Sequence, residues 1–186
     1  MKEVLISIQP KWCELIASGK KRIEVRKTRP KIETPFKCYI YETKAQFIKS
    51  VKGACTSYGY GRGKVIGSFV CDRIYNIEPH DDGYGINQYT FVGADYDDCK
   101  TGLSFEELKE YLGKNIGYAW HISDLKIYDK PKELGEFRKP CDFAYDCCVC
   151  QRAVYKQLAA GEMIFNGCND KITRPPQSWC YVEGTE

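Results

Sequence analysis

Three charged residues near the start of the chain have the types and spacing that could recognise an anionic or hydrogen-bonding ligand. They are Lys21, Glu24 and Arg26, and Gly19 precedes them. Side chains two apart on a β-strand share a face, so Glu24 and Arg26 point the same way, and Lys21 can lean over them from the preceding turn. Arginine offers a planar fork for a phosphate or a base edge, whereas lysine offers a point charge, or a base where burial lowers its pKa.

Within this group, Glu24 either holds Arg26 in place or accepts a hydrogen bond from a base amino group. The alternative is a ladder of surface ion pairs on the polar face of a strand. We expect these positions to be exposed. Replacing both Lys21 and Arg26 by alanine should then leave the free energy of unfolding within about 1 kcal/mol.

Six further residues are of types that recognise nucleotides: Trp12, Tyr58, Tyr60 and Trp120 would stack on a base, and Arg62 and Lys64 would meet phosphates. Trp12 and Trp120 lie on apolar faces, which favours a core role for both. Tyr58 and Tyr60 lie in the glycine-rich segment 58–63, which predicts a loop that either binds the ligand or is simply exposed to solvent. The candidate ligand-binding residues are therefore Lys21, Glu24, Arg26, Gly19, Trp12, Tyr58, Tyr60 and Arg62.

A cysteine cluster is the second feature with possible chemistry. Cys147 and Cys150 have the C-x-x-C spacing that lets two thiolates bind one metal, and Cys141 and Cys168 complete a four-sulfur set. This pattern predicts a structural zinc site, with Cys148 as an alternative to Cys147. Two alternatives remain. The cysteines are either reduced thiols that pack in the protein or lie on its surface, or they have a redox or disulfide role.

The hydrophobic pattern indicates the elements that must position these residues. Strands are predicted at Val4–Ile8, 22–26, 36–41, 65–74, 118–128 (with a break near 123–124) and 178–182, and helices after Pro10, over 104–112 and over 150–160. Gly67 predicts a bulge or a close backbone approach. Residues 79–102 predict a loop with one short strand. Many half-polar strands with two or three short helices favour an α+β fold that is mainly β, a small curved sheet or β-barrel.

Composition and charge limit the function classes. The 186 residues are 43% hydrophobic and 28% charged, which is typical of one globular domain and excludes a disordered, collagen-like or rod-like chain. No apolar run approaches the roughly 20 residues of a membrane span, and the first residues do not resemble a signal peptide. With an odd number of cysteines, 11, this predicts a cytoplasmic protein with reduced thiols.

The charge is unevenly distributed along the chain. Residues 1–52 carry 13 Lys and Arg against 5 Asp and Glu, whereas residues 72–110 carry 3 against 10. The first third therefore suits a polyanion, although two solvated faces that neutralise each other would give the same pattern.

The pattern Gly19, Lys21, Glu24 and Arg26 resembles the G-x-K-x-x-E-x-R signature of the ASCH domain, whose fold is PUA-like. The strand over 63–74 and the segment 117–128 are similar to the family's central and closing strands. The resemblance implies that 1–137 and 175–186 form an ASCH domain. Residues 138–174 would then be a Cys-rich helical appendage outside the family pattern.

The resemblance implies a cleft that binds RNA, a nucleotide or a modified base. Some small ASCH proteins are similar to amidohydrolases that act on N4-acetylcytidine, which would make Lys21 the catalytic base. Those enzymes have threonine where this chain has Glu24, and no motif assigns their later acidic residue to Asp95, Asp97 or Asp98. A zinc-stabilised adaptor for a protein partner is a third hypothesis.

Overall fold

The computed structural model describes residues 2–50, 56–95, 99–140 and 171–184, with the backbone alone over 47–50 and 56–58. Its helices are α1 (Pro10–Ala17) and α2 (Phe105–Leu112), and a 3-10 turn covers Leu134–Glu136. The strands are β1 (Lys2–Ile8), β2 (Ile23–Arg26), β3 (Phe36–Glu42), β4 (Gln46–Ser50), β5 (Thr56–Tyr60), β6 (Lys64–Cys71), β7 (Ile74–Asp81), β8 (Ile86–Val92), β9 (Gly117–His121), β10 (Ser123–Lys132) and β11 (Trp179–Glu183).

Two open sheets and a hairpin contain these strands. The first sheet has the order β10-β6-β3-β1-β11, the second has the order β2-β9-β7-β8, and β4 pairs with β5. In the first sheet β1 is parallel to β3 and antiparallel to β11. Neither order returns to its first strand, so in the described ranges the expected curved sheets are present without closure into a barrel. The prediction of a mainly β, PUA-like fold is confirmed.

Three hydrophobic clusters show how the layers stack. Alternate residues of β1 point to opposite faces, as the pleat requires: Val4 and Ile6 pack with Trp120 between the sheets, and Leu5 packs with Phe137 on the outer face of the first sheet. On the second sheet, Ile23, Val25, Ile77 and Ala119 pack against Leu108 and Leu112 of α2. The order of layers is therefore an outer cover, the first sheet, the second sheet and α2.

The helices begin and end where the sequence predicts. Pro10 occupies the first turn of α1, and Gly19 follows the helix with φ +71°. Ser104 accepts a hydrogen bond from the Glu107 backbone and Glu107 reciprocates, so α2 starts with the expected capping box. The predicted helix over 150–160 lies outside the described residues.

Two strand predictions are wrong in detail. The expected single strand 65–74 ends at Cys71, and after Asp72 and Arg73 the chain enters the second sheet as β7. The glycine-rich segment 58–63 was predicted to be a loop, but its first three residues, up to Tyr60, belong to strand β5. The expected strand 118–128 breaks at Ile122, where the chain passes from β9 in the second sheet to β10 in the first. That break confirms the predicted discontinuity.

Gly67 confirms the prediction of a close backbone approach. A Cβ at this position would lie 2.4 Å from the Lys126 carbonyl oxygen, and the pairing of β3 with β6 shifts register beside it. No described helix is both long and apolar enough to cross a bilayer.

Candidate functional site

The three motif side chains form one ion cluster at the edge of the second sheet. Lys21 Nζ lies 3.3 Å from Glu24 Oε2, and Arg26 Nη2 lies 3.0 Å from Glu24 Oε1. Because Ile23 and Val25 face α2, Glu24 and Arg26 on the same strand face the first sheet. The sequence prediction that the lysine, glutamate and arginine share a face is confirmed by these contacts.

Each cation of the cluster is also held by a backbone carbonyl. Lys21 Nζ donates to the Thr101 carbonyl at 2.6 Å, and Arg26 Nη2 donates to the Ser7 carbonyl at 2.6 Å. Ser7 belongs to β1, so the second contact joins the two sheets. Such charge-assisted hydrogen bonds fix the positions of both cations before any ligand arrives.

Burial is where the sequence expectation is wrong. Lys21 is 2% exposed, Glu24 5% and Arg26 9%, so this is not a ladder of surface ion pairs. Removing both cations would leave a buried carboxylate without compensation, which typically costs about 3–5 kcal/mol. The expectation that the double alanine variant keeps the stability within about 1 kcal/mol therefore fails, because its premise was exposure.

Burial also changes the acid–base properties of the lysine. It lowers the pKa of the Lys21 ammonium below its ordinary value, although the Glu24 carboxylate acts in the opposite direction. A larger share of Lys21 is therefore neutral near physiological pH than is the case for an exposed lysine.

A cavity of about 580 Å³ opens beside the ion cluster. Besides Lys21, Glu24 and Arg26, it is lined by Trp12 of α1, by the end of β1 and by the segment Pro175–Ser178. Ser7 anchors that segment, because its hydroxyl donates to the Pro176 carbonyl at 2.7 Å and its N–H donates to the Ser178 carbonyl at 2.8 Å. We call this space the motif cavity.

Several lining residues were not among the sequence candidates. They are Ser7, Ile8, Gln9, Val25, Thr43, Ala45, Leu103, Tyr111 and residues 175–178. Ser7, Ile8 and Gln9 lie just before the helix that carries Trp12, so proximity to the motif could have suggested them. Residues 175–178 are distant in sequence, and only the pairing of β1 with β11 brings them here.

Three buried polar atoms in the cavity wall lack a hydrogen-bond partner among the described residues. They are Arg26 Nε, Thr43 Oγ1 and Glu24 Oε2, the last of which has Lys21 Nζ at ion-pair distance only. A buried polar atom without a hydrogen bond costs about 1–3 kcal/mol, so a ligand that supplies one is favoured. Together the three atoms offer one donor, one hydroxyl and one acceptor.

The other sequence candidates lie at different distances from the cavity. Trp12 lines it and packs against the core, so both interpretations of Trp12 hold. Tyr60 is 70% exposed and does not line it, and Arg62 is held by Glu42, whose carboxylate accepts from the Arg62 N–H at 2.7 Å. The Tyr58 side chain lies outside the described residues.

The remaining candidates have structural roles. A Cβ at Gly19 would meet no atom within 4 Å, and its positive φ explains the glycine as the end of α1. Trp120 is fully buried in the core.

The predicted zinc site is not tested, because Cys141, Cys147, Cys148, Cys150 and Cys168 lie outside the described residues. Within the described ranges, no group of three His, Cys, Asp or Glu side chains is placed to hold a metal ion. Cys13, Cys38, Cys71 and Cys180 are free thiols. Burial raises the pKa of one of them, Cys71, to about 12, which keeps that thiol protonated at neutral pH.

Comparison with known proteins places this geometry in a family. The ASCH domain model matches residues 6–132. The crystal structure of ASCH from Zymomonas mobilis is similar, with a TM-score of 0.51 and 20% identity over 96% of this chain and 86% of that chain. The Y47F mutant of the same protein gives a TM-score of 0.51 and 20% identity over 97% and 90%. No curated protein sequence matches significantly. The family model covers more than half of the chain, and the solved structures share its fold, so the chain belongs to the ASCH domain family and has its PUA-like fold.

Proposed function

We propose that the protein binds RNA by taking the base of one nucleotide into the motif cavity. The observation that carries this proposal is the buried cluster of Lys21, Glu24 and Arg26 in the cavity wall, where two of the cluster's polar atoms lack a hydrogen-bond partner among the described residues. The ASCH domain is a PUA-like domain proposed to bind RNA, which supports RNA over other ligands with polar edges.

The chemistry of the wall suits a nucleobase edge. Arg26 brings guanidinium N–H donors and Glu24 brings carboxylate acceptors to the cavity wall, and a base presents acceptors and donors side by side on its Watson–Crick edge. Trp12 adds an aromatic surface at the cavity border, where stacking contributes about 1–3 kcal/mol per base. A volume of about 580 Å³ is within the range typical of small-ligand pockets.

Titration of a labelled, mixed-sequence RNA hexamer against the full chain at low salt tests the proposal. Arg26→Lys keeps the charge and removes the fork, and Trp12→Leu keeps an apolar side chain and removes the stacking surface. We expect each change to weaken binding by about tenfold or more, because each removes about 1.4 kcal/mol of specific contact. Fluorescence anisotropy gives the dissociation constants.

The matched controls are Arg138→Lys and Tyr84→Leu, at exposed positions that do not line the motif cavity. Both should bind like the unmodified protein. If the cavity variants keep their circular dichroism spectrum and bind RNA as tightly as the controls, the base is not held in this cavity. If the unmodified protein binds no RNA, the adaptor hypothesis replaces this one.

A second candidate function is hydrolysis of an N-acylated nucleoside such as N4-acetylcytidine. The lowered pKa of Lys21 favours it, because a neutral amine inside a cavity can act as a general base on water. Water would add to the acetyl carbonyl and the C–N4 bond would break, which releases acetate and cytidine. The departure at Glu24 from the threonine of the similar enzymes weighs against this candidate.

Acetate release from N4-acetylcytidine, followed over a pH series, tests the second candidate. If Lys21 is the base, the rate rises with pH as the ammonium loses its proton, and Lys21→Met abolishes it. An unmodified protein that binds the nucleoside and releases no acetate across the series contradicts hydrolysis and leaves the binding function intact.

A further inference from the structure

A second cavity, of about 870 Å³, lies on the segment that follows the motif. It is lined by residues 27–34, here named the basic loop, together with Ile74 and Tyr118. Three cations of the loop, Lys27, Arg29 and Lys31, are exposed, and Glu33 is the acidic residue in its lining. The local charge therefore favours an anion.

Two hydrogen bonds to β11, one from the backbone of the basic loop and one to a side chain, anchor the loop although its cations are exposed. Trp179 Nε1 donates to Thr28 Oγ1 at 3.0 Å, and the Lys31 N–H donates to the Tyr181 hydroxyl at 2.7 Å, so β11 fixes the loop at two points. Pro30 between them is buried. A loop that is anchored in this way presents its charges with little ordering cost on binding.

No carboxylate in the described part of the chain forms an ion pair with Lys27, Arg29 or Lys31. Lys27 Nζ lies 5.0 Å from the Tyr111 ring centre, and the Arg29 guanidinium lies 5.8 Å from the Tyr118 ring centre. These aromatic contacts leave the charges available, whereas most other cations near the motif cavity already have a partner.

The second cavity adjoins the motif cavity. Arg26 lines the first and the next residue, Lys27, lines the second. Tyr111, which lines the motif cavity, contacts Lys27, and Ser178 in the motif cavity precedes Trp179, which holds Thr28 of the second. A chain molecule with one unit in the motif cavity would therefore have its neighbouring units beside the basic loop.

We propose that the basic loop binds the phosphates of the nucleotides that flank the one in the motif cavity, so that the ligand is a short single strand of RNA and not a free nucleoside. This inference rests on the proposed function. A repeating anionic backbone suits three exposed cations that line one cavity and form no ion pair with a described carboxylate. A single strand can place one base in the motif cavity while its other phosphates lie along the basic loop. The acidic segment 72–110 disfavours a long duplex footprint.

The test compares two triple variants of equal charge change in the full chain. Lys27→Gln, Arg29→Gln and Lys31→Gln remove the loop cations, whereas Lys126→Gln, Lys130→Gln and Lys132→Gln remove three from β10, at the other edge of the first sheet from β11. Affinity for the RNA hexamer and for free cytidine and adenosine is measured over a salt series.

We expect the loop variant to bind the hexamer about 10- to 100-fold more weakly at low salt, while its affinity for the nucleosides stays within about twofold. The plot of log K against log salt concentration should become shallower by about 2, because each phosphate contact to a single strand contributes about 0.7. The β10 variant should retain the slope of the unmodified protein.

The possible failures are distinguishable. If the loop variant binds the hexamer like the unmodified protein, or no worse than the β10 variant, the phosphate site is overturned while base binding in the motif cavity stands. If the unmodified protein binds nucleosides as tightly as the hexamer, the strand is not the ligand and the inference is overturned. If it binds neither, the proposed function fails as well.

Discussion

At the scale of single residues, the sequence predicts that the three motif side chains meet but not that they are buried. The spacing of Lys21, Glu24 and Arg26 predicts a shared face, and the structure has it. A polar face on a strand is typical of an exposed surface, so exposure was the natural expectation. The cover comes from Ser7 and from Pro176, which are 169 residues apart, and no local pattern predicts that contact.

A half-buried contact, between His121 and Asp72, joins the two places where the chain passes between the sheets. His121 Nδ1 lies 2.6 Å from Asp72 Oδ1, and the carboxylate accepts the hydrogen bond. Partial burial on its own would raise the pKa of Asp72, but the hydrogen bond and the nearby His121 and Arg73 together hold it below its ordinary value of 3.8. The histidine therefore has a structural role at this passage between the sheets.

This contact should make the stability depend on pH in the acid range. A carboxyl with a depressed pKa in the folded state adds stability above its ordinary pKa, and that stability is lost as pH falls through the folded value. We expect Asp72→Asn to lower the free energy of unfolding at about pH 6 and to have a smaller effect at about pH 3. The difference should be below about 1 kcal/mol, because Asp72 is about one third exposed and solvent screens it.

Urea unfolding at the two pH values measures this difference, with Asp129→Asn as the control at an exposed carboxylate. The control should show no comparable dependence. Equal effects of Asp72→Asn at both pH values would mean that the carboxylate does not stabilise the passage between the sheets.

At the scale of elements, the sequence predicts the strands that are mostly buried and misses those at the edge of the second sheet that are mostly exposed. β1 and β3 are almost wholly buried and read clearly from the sequence. β7 and β8 are mostly exposed or half-buried, their pairing shifts register at His80 and Asp81, and β7 contains Pro79. Hydrophobic periodicity gives a weak signal in strands such as these, in which only one residue each is fully buried.

The hairpin of β4 and β5 meets the motif cavity through one glycine. A Cβ at Gly61 would lie 1.7 Å from the Thr43 carbonyl oxygen and 2.6 Å from Pro10 Cγ, and the Gly61 N–H donates to the Ala45 carbonyl. Thr43 and Ala45 both line the motif cavity. The position of that wall therefore depends on the absence of a side chain at residue 61.

Gly61→Ala should destabilise the protein by about 1–3 kcal/mol, because backbone atoms and a proline ring must move to admit the methyl group. It should also weaken the binding of any ligand in the motif cavity. Gly135→Ala is the matched control, since a Cβ there meets nothing within 4 Å. The thermal unfolding midpoints of Gly61→Ala and Gly135→Ala are compared. Equal midpoints would show that the segment around residue 61 accommodates the methyl group with no loss of stability.

At the scale of the whole molecule, the resemblance to the ASCH domain predicted more than the periodicity did. The strand pattern favoured a curved sheet or a barrel, and the family supplied the PUA-like arrangement that the structure has. The division into an ASCH domain and a Cys-rich appendage over 138–174, with its zinc site, stays a prediction. One sequence does not show which distant strands pair or whether the cysteines bind a metal. Both depend on contacts between segments that are far apart in the chain.

The pairing of β1 with β11 has a consequence for the order in which the protein becomes competent. The first strand leaves the ribosome long before the segment Pro175–Ser178, which forms a wall of the motif cavity and leads into β11. Until those residues emerge, one edge of β1 has no partner, the Ser7 hydroxyl has no acceptor in Pro176, and the basic loop has no anchor in Trp179 or Tyr181. A nascent or prematurely terminated chain therefore carries the complete motif but lacks one wall of the motif cavity, which is completed only when synthesis has passed β11.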